Sequence, residues 1–157
     1  MKVLFVCYAN VGRSQVAQEY FNMITGEESL SAGYGVNYLG LKKVKDSQYK
    51  RSIKFIQDTL GIDISEKETI QFTQKLMTDS DLTIFILEDN QMPPMPYKLN
   101  GNWRQWMIKD TPGQDLESTY NTWHEVILRV DELVKEIHFK VREKTELDDE
   151  NLRLIED

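Results

Sequence analysis

The 157-residue chain is poor in several residue types, and each shortage narrows the class of protein. One cysteine excludes a disulfide within the chain, which suits a reducing compartment. Of its two histidines, His124 and His138, neither belongs to a cluster with metal-ligand spacing. We therefore expect no metal ion and no cofactor.

Long apolar runs and signal sequences are also missing. The apolar stretch after Lys2 is far too short to span a bilayer, and no signal-peptide cleavage region follows it. These features predict a cytoplasmic protein that does not bind membranes. The chain also has no excess of positive charge. Its net charge is -7, and a negative net charge argues against a nucleic-acid partner.

Much of the negative charge lies at the end of the chain. Residues 145–157 hold six acids and one arginine, a charge of -5, so that about -2 of the total of -7 remains for the rest. An anionic substrate would therefore not be strongly repelled by the body of the protein. We expect a phosphatase-like domain over residues 1–139 and a flexible acidic C-terminal extension over residues 140–157.

Buried strands alternate with amphipathic helices along the chain, a pattern typical of a single α/β domain with a parallel sheet. A proline-rich loop is expected over 91–104. The apolar runs predict strands at 2–6, 29–32, 82–87 and 104–109. The helical spacings predict helices from about Ser14 to Gly26, over 49–60 and over 73–77, and a longest helix whose apolar face runs from Trp123 to Ile137.

The segment from Cys7 to Ser14, Cys-Tyr-Ala-Asn-Val-Gly-Arg-Ser, follows the first predicted strand and leads into a helix. Five residues separate the cysteine from Arg13. A loop of this length over a helix N-terminus can turn its backbone N–H groups inward and form a nest for an oxyanion. The Arg13 guanidinium can add two parallel hydrogen bonds to such an anion, and the same field favours the Cys7 thiolate.

Taken singly, these residues have ordinary explanations. A lone cysteine is often a buried, inert side chain, and Ser14 could be a simple helix cap. The complete pattern between a strand and a helix favours a nucleophile inside an oxyanion cradle.

Beyond this loop, the sequence resembles the low-molecular-weight protein tyrosine phosphatases and the related thioredoxin-coupled arsenate reductases. The resemblance covers roughly residues 1–139. It includes the opening strand and the Asn10 and Arg13-Ser14 positions of the loop. It extends to Ser31-Ala32-Gly33, Leu60-Gly61-Ile62-Asp63, Phe85-Ile86-Leu87-Glu88-Asp89 and an Asp-Pro-like element at Asp110-Thr111-Pro112.

The resemblance implies a fold of the low-molecular-weight phosphotyrosine phosphatase type, a four-stranded parallel sheet flanked by helices. It implies metal-free hydrolysis through a phosphocysteine at Cys7, with Arg13 as phosphate clamp and Asp110 as general acid. Ser31 would support the loop. The substrate would contact the loop itself, at Tyr8, Ala9, Asn10, Val11, Gly12 and Ser14.

Some positions depart from the family. Gly12 stands where many phosphatases have a second cysteine, and Gly12 with Gln15 looks more like the reductase branch. Those reductases use further cysteines, however, and none follows Cys7 here. Thr111 separates Asp110 from Pro112, which leaves Asp115 as a second candidate for the acid.

Three functions therefore remain open. The first is a phosphomonoesterase, with a phosphorylated protein or a small phosphoester as substrate. The second is an arsenate reductase that uses an external thiol, because arsenate mimics phosphate. The third is a catalytically weak module that binds phosphate-like oxyanions or a partner.

Overall fold

A computed structural model of the protein describes residues 1–93 and 102–156, with four parallel strands in one sheet. Their order across the sheet is β2-β1-β3-β4. The strands are β1 (Val3–Cys7), β2 (Leu30–Gly33), β3 (Leu82–Ile86) and β4 (Trp103–Trp106). The predicted four-stranded parallel α/β fold is confirmed.

Within the described residues, five α-helices connect or follow these strands. They are α1 (Arg13–Thr25), α2 (Val36–Leu39), α3 (Arg51–Leu60), α4 (Gln74–Thr78) and α5 (Leu116–Glu156). Short 3-10 helices lie at Val44–Asp46 and Asp89–Gln91. No helix among the described residues is both long enough and apolar enough to cross a membrane.

Alternate residues of the strands pack into cores on opposite faces of the sheet, as the period of two requires. Phe5 and Ile84 belong to the larger core, which α1, α3 and α5 cover. Leu4 and Phe85 belong to the smaller core, which includes Met77 of α4. Both central strands, β1 and β3, are buried along their whole length, so the sheet holds the carboxyl end of β1 rigidly.

The chain order reverses between β1 and β3, and ligands of open parallel sheets bind at such a switch point, beyond the strand ends. Cys7 is itself the last residue of β1 and pairs with Gly33 at the end of β2. The close pairing continues into the loop. A Cβ on Gly33 would lie 2.5 Å from the Tyr8 carbonyl oxygen, so only glycine fits beside this turn.

The fourth strand is shorter than the predicted 104–109. It ends at Trp106, although Ile108 beyond it is still buried. The Ile108 N–H bonds the Trp106 carbonyl at 2.9 Å, and this tight turn leads the chain out of the ladder. The apolar pattern therefore continues past the end of the strand. Most of the predicted loop over 91–104 falls on residues 94–101, outside the described residues.

The acidic extension is helical where the sequence predicts a flexible tail. Helix α5 continues without a break to Glu156, and every side chain from His138 to Leu152 is exposed. Glutamate, lysine, leucine and arginine all have high helix propensity, and this explains the helix without any packing partner. The division of the chain at residue 139 stays a prediction.

Candidate active site

Cys7 lies at the floor of a cavity of about 380 Å³ beyond the carboxyl end of β1. Its side chain is 2% exposed. Arg13 and Asp110 line the same cavity, so all three residues predicted as catalytic are brought together. The loop contributes Tyr8, Ala9, Val11 and Gly12 to the walls.

The backbone of the loop turns at Asn10, which has a φ of 57° and is the one non-glycine residue with positive φ among those described. Asparagine tolerates this conformation better than most residues. Within the described part of the chain, the backbone N–H groups of Asn10, Val11 and Gly12 have no acceptor. The first amides of α1 are also free of helical acceptors, so the loop presents a set of donors suited to an oxyanion.

Side chains beneath the loop hold it in this shape. Asn10 Nδ2 donates to Ser14 Oγ at 2.8 Å and to Ser31 Oγ at 3.0 Å. Ser14 Oγ lies 3.0 Å from Cys7 Sγ. Asn10 and Ser14 are fully buried, so their side chains support the loop, and their contact with a substrate would come from the backbone.

Ser52 of α3 is a further support that the sequence did not point to. Its hydroxyl donates to the carbonyl of Val11 at 2.6 Å, while the Val11 side chain packs into the larger core. Loop and helix α3 are thus joined through a buried hydrogen bond. No local motif marks this serine, because its partner lies 41 positions away.

The Arg13 side chain is 3% exposed and makes three polar contacts. Its Nη1 donates to the Ile108 carbonyl at 2.9 Å and to Gln91 Oε1 at 3.0 Å. Its Nη2 lies 3.2 Å from Asp110 Oδ2. These contacts fix the plane of the guanidinium at the cavity wall.

Gln91 is a site residue that sequence reasoning missed. In addition to accepting from Arg13, it donates from Nε2 to Asp110 Oδ2 at 2.8 Å. One amide thus contacts both the proposed clamp and the proposed acid. Gln91 ends the 3-10 helix after β3, and the sequence carries no motif that singles it out.

Asp110 and Asp115 have different surroundings. Asp110 lines the cavity, and its carboxylate faces Arg13. Asp115 Oδ1 accepts a hydrogen bond from the Ser118 N–H at 2.7 Å, in the first turn of α5. That hydrogen bond lowers the pKa of the Asp115 carboxyl. Asp115 is therefore placed as a helix cap.

Apolar and aromatic side chains line part of the cavity. Tyr8, Leu39, Leu41 and Tyr49 are among its lining residues, together with the polar Asp46, Ser47 and Gln48. Tyr8 stands edge-on to Tyr34, with ring centroids 4.9 Å apart, and burial is the main cause that raises the pKa of Tyr34. The helical spacing predicts Tyr49 in the apolar stripe of a helix, but in the structure it precedes α3 and is 54% exposed.

This arrangement has the parts needed for covalent transfer of an oxyanion group. It contains a thiol, a fixed guanidinium, a carboxylate and inward backbone amides in one small cavity. Among residues 1–93 and 102–156, no group of three or more His, Cys, Asp or Glu side chains is placed to hold a metal ion.

Comparison with protein families identifies one model over nearly the whole chain. The model of the low molecular weight phosphotyrosine protein phosphatases matches residues 2–147, which confirms the resemblance. A comparison with curated protein sequences returned no match.

Solved structures of proteins with two different activities share this fold. A low molecular weight protein tyrosine phosphatase from T. tengcongensis is 24% identical, with a TM-score of 0.62, and the match covers 87% of this chain and 99% of that one. Wzb of Vibrio vulnificus, solved in complex with benzylphosphonate, is 17% identical, with a TM-score of 0.67 and coverages of 86% and 97%.

A thioredoxin-dependent arsenate reductase of Corynebacterium glutamicum is 23% identical, with a TM-score of 0.63. The match covers 88% of this chain but only 62% of that longer one. The relatives of this fold thus include both phosphatases and reductases. With the matched residues spanning β1 to α5, this chain belongs to the low molecular weight phosphotyrosine protein phosphatase family.

Proposed function

We propose that the chain is a cysteine-dependent phosphomonoesterase that acts on phosphotyrosine in proteins or on a small aryl phosphoester. One observation carries the proposal: Cys7, Arg13 and Asp110 line one cavity of about 380 Å³, at the end of the central strand. A nucleophile, a clamp and a proton donor must all reach the same phosphoryl group, and this cavity permits it.

In the first step, the Cys7 thiolate attacks phosphorus and the bond from phosphorus to the ester oxygen breaks. Arg13 and the loop amides stabilise the charge on the equatorial oxygens. Asp110, in its acid form, gives its proton to the leaving oxygen. The products of this step are the free alcohol or phenol and a phosphocysteine.

In the second step, water attacks the phosphocysteine and the sulfur–phosphorus bond breaks. Asp110, now a carboxylate, takes a proton from that water. Inorganic phosphate leaves and the Cys7 thiolate is restored. Neither step consumes an oxidant, a reductant or a metal ion.

The walls of the cavity support an aromatic substrate. Tyr8, Tyr49, Leu39 and Leu41 give the cavity aromatic and apolar surface. An aromatic leaving group can pack against such side chains while its phosphate reaches the loop. Among the described residues that line the cavity, Arg13 is the one cationic side chain.

Hydrolysis of p-nitrophenyl phosphate in the presence of EDTA tests the proposal. We expect steady turnover by the wild type, none by Cys7→Ser, and a loss of most activity in Arg13→Lys, which keeps the charge but not the planar fork. Turnover that EDTA abolishes, or that survives Cys7→Ser, would overturn it.

Two further assays separate the alternatives. Arsenate consumption that depends on an added small thiol, without ester hydrolysis, would identify a reductase. Tight binding of inorganic phosphate without either turnover would identify an oxyanion-binding module. Either result would replace the phosphatase proposal.

A further inference from the structure

Lys67, between α3 and α4, directs its ammonium group toward α1 rather than into solvent. Its side chain is only 27% exposed. The Nζ atom lies 2.7 Å from Gln15 Oε1, 2.5 Å from Gln18 Oε1 and 2.7 Å from Glu19 Oε1. Each of the three ammonium protons therefore has an acceptor on α1, and the position of the group is fixed.

Two paths of hydrogen bonds lead from Lys67 to Asn10. In the first, Gln18 Oε1 also accepts from Ser31 Oγ at 2.6 Å, and Ser31 Oγ accepts from Asn10 Nδ2 at 3.0 Å. In the second, Gln15 Nε2 donates to the backbone carbonyl of Asn10 at 2.9 Å. Both paths end on the residue whose positive φ shapes the loop.

The direction of the first path follows from the ammonium group, which can only donate. Gln18 must turn its oxygen toward Lys67, and its Nε2 donates to the Ser29 carbonyl at 2.8 Å. Ser31 therefore gives its proton to the Gln18 oxygen. The Ser31 oxygen is then left to accept from Asn10.

The same direction of donor to acceptor continues along the hydrogen bonds to Cys7. One Nδ2 proton of Asn10 goes to Ser31, and the other goes to Ser14 Oγ at 2.8 Å. Because Ser14 accepts there, its own proton is free to point at Cys7 Sγ, 3.0 Å away. A hydroxyl that donates to sulfur stabilises the thiolate relative to the thiol.

We propose that Lys67 is a positioning residue for the Cys7 nucleophile, which it orders through this chain of hydrogen bonds. Glu19, 15% exposed, offsets the Lys67 charge, so the influence travels through the hydrogen bonds more than through the field. The inference rests on the proposed function in taking Cys7 as the nucleophile. No local motif contains Lys67, which lies 60 positions from Cys7.

Other ionisable groups lie near the two ends of the path. The one beside Lys67 is Glu19. Those that line the cavity with Cys7 are Tyr8, Arg13, Asp46, Tyr49 and Asp110, and Tyr34 packs against Tyr8.

The pH dependence of Cys7 alkylation by iodoacetamide provides the test, because it reports the thiolate without requiring catalysis. In Lys67→Met we expect the midpoint of the profile to rise by about 0.5 to 1 pH unit, a threefold to tenfold slower alkylation below the midpoint. Lys75→Met, which breaks an exposed ion pair with Asp79, is the matched control and should leave the midpoint unchanged.

Lys67→Met leaves the Glu19 charge without its partner, so the double variant Glu19→Gln/Lys67→Met is measured too, with thermal unfolding as a check of the fold. It should show the same rise. In a Ser14→Ala background the path is cut, and Lys67→Met should then add no further rise.

An unchanged midpoint in either folded variant would overturn the inference. So would an equal rise in the Ser14→Ala background, because the influence would then bypass the path. A rise in alkylation midpoint in a protein that hydrolyses no phosphoester would defeat the proposed function while leaving the role of Lys67 standing.

Discussion

Trp123 lies directly behind Gly12, so that a Cβ added to the glycine would sit 3.3 Å from the indole Nε1. The tryptophan is 1% exposed and packs on Phe55, with ring centroids 5.3 Å apart, which leaves it little room to move. A side chain at the position where many family phosphatases carry a second cysteine would therefore press against the Trp123 indole in this chain.

Gly12→Ala should lower the free energy of unfolding by roughly 1–3 kcal/mol, because it forces extra volume into a packed site. Urea unfolding measures the loss. In a Trp123→Phe background the smaller ring frees space, so the same substitution should cost less. An equal cost in both backgrounds would show that the indole does not limit Gly12.

Asp110→Asn should slow hydrolysis of phosphotyrosine far more than hydrolysis of p-nitrophenyl phosphate. A general acid contributes about 10²–10⁴-fold, and nitrophenolate leaves readily without a proton. Rates with both substrates measure the difference. Asp115→Asn, which keeps a side-chain oxygen to cap α5, is the control and should show no such leaving-group dependence. The reverse pattern would assign the acid to Asp115.

Gln91→Leu should lower kcat/KM for aryl phosphates about tenfold. The change removes the amide that contacts both Arg13 and Asp110, and a lost hydrogen bond to a charged group is worth about 1.5–3 kcal/mol at most. Steady-state kinetics measures it, with the exposed neighbour Asn90→Ala as control. Equal kinetics in the two variants would show that Gln91 orders neither group.

The contact between α1 and α5 through Tyr20 should make stability depend on alkaline pH. Tyr20 Oη donates to Asp131 Oδ1 at 2.6 Å, and this hydrogen bond, with burial and the Asp131 charge, raises the pKa of Tyr20 to about 12 from 10.0. The folded state thus holds the proton more strongly. The stabilisation that the protonated Tyr20 gives the folded state is therefore complete below pH 10 and is lost as the pH rises from 10 to 12.

Tyr20→Phe should therefore cost about 1 kcal/mol at pH 8, and the difference from wild type should shrink as the pH rises toward 12. Urea unfolding at several pH values measures it. Tyr38→Phe, at a side chain 87% exposed, should cost nothing at any pH. A Tyr20→Phe penalty that is independent of pH would contradict the link.

Removal of residues 145–157 should leave folding and small-substrate turnover nearly unchanged. Side chains from His138 to Leu152 are exposed, so the described part of the deleted segment covers no core. Thermal unfolding and aryl phosphate kinetics of the shortened chain check this. A large fall in melting temperature would show that the end of α5 packs against the body.

The loop from Cys7 to Ser14 and the central strands could be predicted because their signals are local. Val3 to Val6 is a continuous apolar run, and Leu82 to Leu87 is apolar apart from Thr83, which is typical of strands buried on both faces. Cys7 and Arg13 lie in one short segment. The end of β4 could not be predicted, because Ile108 is buried outside the ladder and continues the apolar pattern.

The supports of the loop depend on tertiary contacts instead. Gln91, Ser52 and Lys67 meet residues 41 to 78 positions away in the chain, and nothing around them in the sequence marks a partner. Polar residues of these types are usually solvated. Only the folded structure shows that these side chains are half-buried or buried, and which residues they contact.

Cys7 has no second thiol within the chain, and this determines how the protein responds to peroxide. A cysteine sulfenic acid is rescued by condensing with another thiol, and without one it proceeds to the sulfinic acid, which is not readily reduced. For Cys7, a rescuing thiol must come from outside the chain and enter the cavity beside Tyr8 and Arg13. The return of an oxidised Cys7 to the thiol thus depends on the surrounding pool of small thiols.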